Sequence, residues 1–147
     1  ALARKLGVYA TVRVDEGDPL AKILELTEGL GAHTAFECSG AAASAEFCLQ
    51  ALRKTGNYTQ IAIPGKPIPY NMDLALYKEI TISNSYASER TSWLIALRLL
   101  ENKMIHIEDM ISAVLPLEEW EKGFQQTMEK RAFKVLLSPH PLEDWKE

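Results

Sequence analysis

The chain has 147 residues, of which 47% are apolar and 24% charged, the composition of an ordinary globular domain that buries a core without disulfides. Its net charge is −4, and its 16 Lys and Arg form no run or stripe, which argues against an electrostatic grip on nucleic acid or an anionic membrane. No apolar stretch reaches the roughly 18–20 residues that span a bilayer, and the opening ALARKLG is charged and amphipathic, unlike a signal peptide.

The same ALARKLG reads as the last turns of a helix ending at Gly7, and with no initiating Met the sequence reads as a piece of something longer. The β-branched run VYATVRV predicts a strand over residues 10–14. Asp18-Pro19 then supplies an N-cap and the favoured first helical residue for a helix carrying Leu20, Ile23, Leu24 and Thr27 on one face, closed by Gly29 to Gly31. AFECSG, residues 35–40, is the next short strand. Residues 42–54 read as a helix with Phe47, Cys48, Ala51 and Leu52 on one face and Gly56 as its stop. A strand over 58–63 ends at the turn PGKP. A short helix over 73–78, a strand over 80–86 and a strong helix over 91–102 follow. Beyond residue 105 come a strand over 111–115, a helix over 117–130 with Trp120, Phe124 and Met128 four apart, a strand over 132–138 and a polar tail over 139–147.

Strands alternating with helices predict an α/β fold with a parallel, doubly wound sheet. Within it, AFECSG sets a carboxylate, a thiol and a hydroxyl side by side, the raw material of a catalytic cluster. Neighbours along a strand alternate faces, however, so Glu37 and Cys38 point apart, and the backbone around Gly40 is expected to matter most. Ser39 lacks the preceding glycine of a GxSxG elbow. His33, His106 and His140 are far apart in sequence and read as surface residues, so no metal site is expected. Cys38 and Cys48 form no CxxC pair and read as free thiols of a reducing cytoplasm.

Six segments, FECSG, ALRKTGNYTQIAIPGKP, LYKEITISNSY, SWLIALRLLENKMI, LPLEEWEKGF and FKVLLSP, occur in an order and spacing that resemble the C-terminal part of a zinc-dependent medium-chain alcohol dehydrogenase. The sequence looks most like sorbitol, polyol and threonine dehydrogenases, over residues 1–138. The resemblance implies a partial Rossmann-like sheet lacking its first two strands, with residues 1–104 a partial dinucleotide-binding domain and 105–138 a segment joining a catalytic domain. It implies hydride transfer between a small alcohol or polyol and NAD or NADP, with zinc polarising the alcohol oxygen. The zinc ligands and the GxGxxG turn of that family are absent, so the resemblance implies a chain without catalytic residues, inactive alone, with cofactor binding weak or absent.

The resemblance also implies that Cys38, Ser39 and Gly40 line the adenosine or ribose side of a cofactor crevice. It places backbone groups of Ile61, Ala62 and Ile63 at the nicotinamide carboxamide, Asn84, Ser85 and Tyr86 on the far side of that ring, and Lys134 toward the pyrophosphate. The plain alternative makes Ile61 and Ile63 core residues and Lys134 a solvated lysine. Where some polyol relatives carry arginine after the ISNSY-like strand, Ala87 stands here with Arg90 nearby, which leaves the particular sugar alcohol open. Residues 80–85, from Ile80 to Ser85, would be an edge strand pairing with its copy in a homodimer. With its neighbouring strands missing, the segment 10–14 is expected to shift against AFECSG or to be exchanged between chains. A non-catalytic dimerising α/β module with no cofactor of its own is the competing reading.

Overall fold

A computed structural model describes residues 2–141. The chain divides into two compact units, residues 10–88 and residues 2–9 with 89–141.

The first unit begins without a strand: residues 10–13 lie outside the sheet, and a turn follows at Val14. The expected strand over 10–14 is thus not formed, and within the chain no shift of it onto the next strand occurs. β-branched residues favour strands only where a neighbour supplies ladder partners and a packed face, and this segment keeps Tyr9 and Val14 largely exposed. α1 (Leu2–Lys5) belongs to the other unit. α2 (Pro19–Leu26) starts as its sequence dictates. The Asp18 carboxylate accepts from the amides of Leu20 and Ala21 at 2.9 and 3.1 Å, and Pro19 has no N–H to satisfy.

β1 (Ala32–Glu37), β2 (Leu52–Gln60) and β3 (Thr81–Asn84) form a parallel sheet in that order, joined by the crossover helices α3 (Ala42–Ala51) and α4 (Met72–Tyr77). Leu49, Leu52 and Tyr58 are fully buried at its centre, with Ala32, Ala35, Cys48, Tyr70, Leu74 and Ile80 packed around them. Each large apolar side chain so buried contributes roughly 1.5–3 kcal/mol. Gly31 leads into β1 at φ +94°, and a Cβ there would stand 2.7 Å from the carbonyl oxygen of Ala51, so the chain passes over the α3–β2 junction only because the residue is glycine.

Several boundaries differ from the expected ones for local reasons. α3 stops at Ala51 rather than 54 because the Lys78 ammonium donates to the carbonyls of Leu49, Gln50 and Leu52 at 3.1, 2.7 and 2.7 Å, closing the helix end with a cation. β2 then begins at Leu52, opposite Ala32, and bulges before Asn57 pairs with Thr34. It ends at Gln60 rather than 63 because the amides of Ile61 and Ala62 both turn onto the carbonyl oxygen of Glu37, at 2.9 and 3.0 Å. With no ladder left to extend, β3 ends at Asn84 rather than 86, and Ser85 makes a last bond from its amide to the Gln60 carbonyl at 2.9 Å.

In the second unit, α5 (Arg90–Glu101) carries Trp93, Leu94, Ile95 and Leu97 exposed. β4 (Ile111–Pro116) and β5 (Lys134–Ser138) pair in parallel, with α6 (Trp120–Met128) as their crossover. Leu115 is buried opposite Leu137. The expected helix over 117–130 opens with a 3-10 turn, Leu117–Glu119, and closes at Met128. Trp120 and Phe124 meet edge to face at 5.9 Å, yet both stay half exposed, as Met128 does more fully.

Candidate functional site

Because β1, β2 and β3 run parallel and in register, Glu37, Gln60 and Asn84 stand abreast as the last residues of their strands. The segments after them, 38–41, 61–64 and 85–87, therefore leave the sheet at one rim. In open parallel sheets that carboxyl rim is where ligands bind. Cys38, Ser39, Gly40, Ile61, Ala62, Ile63, Asn84, Ser85 and Tyr86 all fall at the end of a strand or just beyond it.

Glu37 organises the rim. Its side chain is only 1% exposed. One carboxylate oxygen accepts from the Ser39 amide at 2.9 Å, the Ser39 hydroxyl at 2.6 Å and the Gly40 amide at 3.1 Å. The other accepts from the Gly40 amide at 3.0 Å and from Gln60 Nε2 at 2.8 Å. Burial pushes its pKa up, but the Ser39 hydroxyl, the amides of Ser39 and Gly40 and the Ser44 hydroxyl outweigh burial and hold it at about 2. Its backbone carbonyl meanwhile takes the amides of Ile61 and Ala62. One residue thus ties the turn after β1 to the turn after β2.

A part-buried polar chain continues behind it. Gln60 Nε2 also donates to the Ala62 carbonyl at 2.7 Å, and Gln60 Oε1 accepts from the hydroxyls of Tyr58 and, at 2.7 Å, Tyr70. The two tyrosine rings cross edge to face at 5.9 Å. Burial, then the bond to Tyr70, raises the Tyr58 pKa. Glu37 and Gln60 were not among the expected site side chains. Period-two alternation puts Tyr58 and Gln60 on one face of β2, and parallel register puts Glu37 beside Gln60, so the pattern was there once the register was known.

Gly40 takes φ +74°, and a Cβ on it would lie 3.0 Å from the Ile63 carbonyl oxygen, so the two turns touch backbone to backbone. Ile61 and Ile63 are 45% and 73% exposed, so they are rim residues and not core. The amides of Ile61 and Ala62 are committed to the Glu37 carbonyl, and the Ala62 carbonyl to Gln60 Nε2. Cys38 and Tyr86 are exposed, Tyr86 at 84%. Cys48, on α3, is half-buried, and burial followed by the Glu37 charge raises its pKa. Lys134 opens β5 in the second unit and is exposed, so the strand rim of the first unit forms without it.

His33 lies on β1, His106 before the 3-10 turn Glu108–Met110 and His140 after β5. Among the described residues no three His, Cys, Asp or Glu converge as a metal site would require, so these residues do not fit a zinc ion. No helix of the described residues is long and apolar enough to cross a membrane.

A parallel sheet with crossover helices and a ligand-type carboxyl rim defines a partial doubly wound, Rossmann-type α/β fold. The family model for zinc-binding dehydrogenases matches residues 1–102, and the chain belongs to that family. It is 32% identical over 138 residues to a sorbitol dehydrogenase of Halalkalibacterium halodurans, covering 93% of this chain and 40% of that protein. It is 30% identical to an L-threonine 3-dehydrogenase of Bacillus velezensis, covering 95% of this chain and 41% of that one. An alcohol dehydrogenase of Thermotoga maritima shares the fold at TM-score 0.85 and 23% identity, over 95% of this chain and 40% of that one. The chain thus spans about two fifths of the relatives it matches, corresponding to their C-terminal part.

Proposed function

We propose that the first unit supplies one wall of a nicotinamide dinucleotide crevice in a zinc-type alcohol or polyol dehydrogenase. The observation that carries this reading is the single rim on which Glu37, Gln60 and Asn84 align, with small residues from Ser39 to Ala43 leaving the backbone approachable. A bound nicotinamide, of NAD or NADP, would accept or return the hydride. Ile61 and Ile63 offer exposed apolar surface to a flat ring and exclude water from it, while Asn84 offers a polar group at the rim. Cys38, Ser39 and Gly40 take the adenosine or ribose side, and Asn84, Ser85 and Tyr86 the far side of the nicotinamide. Lys134 is the countercharge to the pyrophosphate in the assembled enzyme.

No step through zinc is assigned to these residues. Residues 1–104 read as cofactor domain and 105–138 as the link to a catalytic domain, and the exposed apolar faces of α5 and α6 support burial against further protein. All of β3 is exposed, which supports a homodimer through residues 80–85, and the free thiols of Cys38 and Cys48 support a reducing cytoplasm.

Titration of NADH into the full chain, followed by its fluorescence, tests the reading. Saturable binding with a Kd of about 1 mM or tighter, or about 4 kcal/mol, that is lost in Ile63→Arg is the expected result. Absence of saturation in the native chain overturns it in favour of a dimerising module without a cofactor.

A further inference from the structure

Three amides in succession, those of Ser39, Gly40 and Ala41, face into the turn between β1 and α3, the arrangement that elsewhere cradles a ligand's phosphate at a helix start. Here they are engaged. Ser39 and Gly40 donate to the Glu37 carboxylate, and Ala41 donates to the Ser39 hydroxyl at 3.2 Å. The N-cap of α3, Ala41, has no side chain able to cap the helix. The carboxylate itself is buried and reached from the opposite strand by Gln60, whose own amide is oriented by Tyr58, Tyr70 and Ala62.

We propose that the Glu37 carboxylate is the resident anion of this turn, filling from within the chain the seat that the Ser39 and Gly40 amides would otherwise offer to an external anion, and that it acts as the positioning residue for both rim segments. The proposal adds to the cofactor reading but does not depend on it, since the seat exists whether or not a dinucleotide binds. Two consequences follow from its place. A ligand in the crevice finds none of these three amides available for an anionic group. Removal of the carboxylate turns a filled seat into an empty one of acetate size, lined by the same donors.

The test is anion rescue of Glu37→Ala, measured on the full chain as thermal melting by far-UV circular dichroism at neutral pH. Sodium acetate is compared with sodium chloride at equal ionic strength. The variant melts lower than the native chain in chloride, and acetate restores about half or more of the loss with saturation, while the native chain melts alike in both salts. Glu37→Gln, which fills the space, also melts low and gains nothing from acetate. If Glu37→Ala is unfolded in chloride, recovery of its helical signal in acetate is the readout. Equal effects of acetate and chloride on Glu37→Ala, an equal acetate gain in the native chain, or a variant unfolded in both salts overturns the proposal.

Discussion

Acid should weaken the fold through Glu37. The carboxyl is held at about 2 against an ordinary 4.5, and at about 1.36 kcal/mol per unit that difference is worth roughly 3 kcal/mol of folding free energy. The sign follows from the direction. A depressed carboxyl pKa stabilises fully above the unfolded value of 4.5 and loses its contribution as pH falls toward 2. At about pH 3, roughly 2 kcal/mol of it is gone. Urea titrations followed by circular dichroism, run on the native chain and on Glu37→Gln at pH 7 and pH 3, isolate the effect because the other carboxylates cancel in the difference. The native chain should be the more stable at pH 7 by about 3 kcal/mol, with the gap narrowing to about 1 kcal/mol at pH 3. A gap that keeps its size between the two pH values refutes the reasoning, since the bonds to Ser39, Gly40 and Gln60 would then not depend on the charge.

Other perturbations reach different parts of the molecule. Lys78→Met strips the cation from the carbonyls of Leu49, Gln50 and Leu52 and should cost about 2 kcal/mol in a urea titration, with a loss under about 0.5 kcal/mol counting against the cap. Gly31→Ala forces a Cβ against the Ala51 carbonyl at a left-handed φ and should lower Tm by roughly 10 °C, from about 2 kcal/mol of strain. An unchanged Tm would mean that the loop shifts freely. Ile82→Lys puts a charge on the exposed edge of β3, and gel filtration should show a native dimer become a monomer; an unchanged elution volume, or a native chain already monomeric, removes the proposed interface.

The parts of the fold legible in the sequence are those written in local chemistry. Asp18-Pro19 announces a helix start because a carboxylate and a missing N–H satisfy the first turn by themselves, and the structure forms that helix at Pro19. The alternation of strand and helix announces the parallel class in the same way. What was misread depends on partners far along the chain. VYATVRV has strand propensity but no adjacent ladder, so propensity alone did not make a strand. The end of α3 is set by Lys78, 27 residues beyond the last helical residue, and the end of β2 by a carbonyl on β1. Glu37 is the instructive case. Its separation from Cys38 was legible from alternation, and Cys38 is indeed exposed while Glu37 is buried. Its bonds to Gln60 needed the register of two strands, which no short window of sequence contains.

The order β1-β2-β3 has a further consequence. Among the described residues β1 pairs with β2 and β3 pairs with β2, so the sheet has two open flanks, and Phe36 stands exposed on one while Ile82 stands exposed on the other. Joining like flank to like flank at β3 closes a pair of chains and stops. If chains joined at β1 as well, nothing would stop the addition of the next chain, and in the language of polymer chemistry the molecule would be a bifunctional monomer. Growth would then be set by concentration, and a single charge at Phe36 would act as the chain terminator.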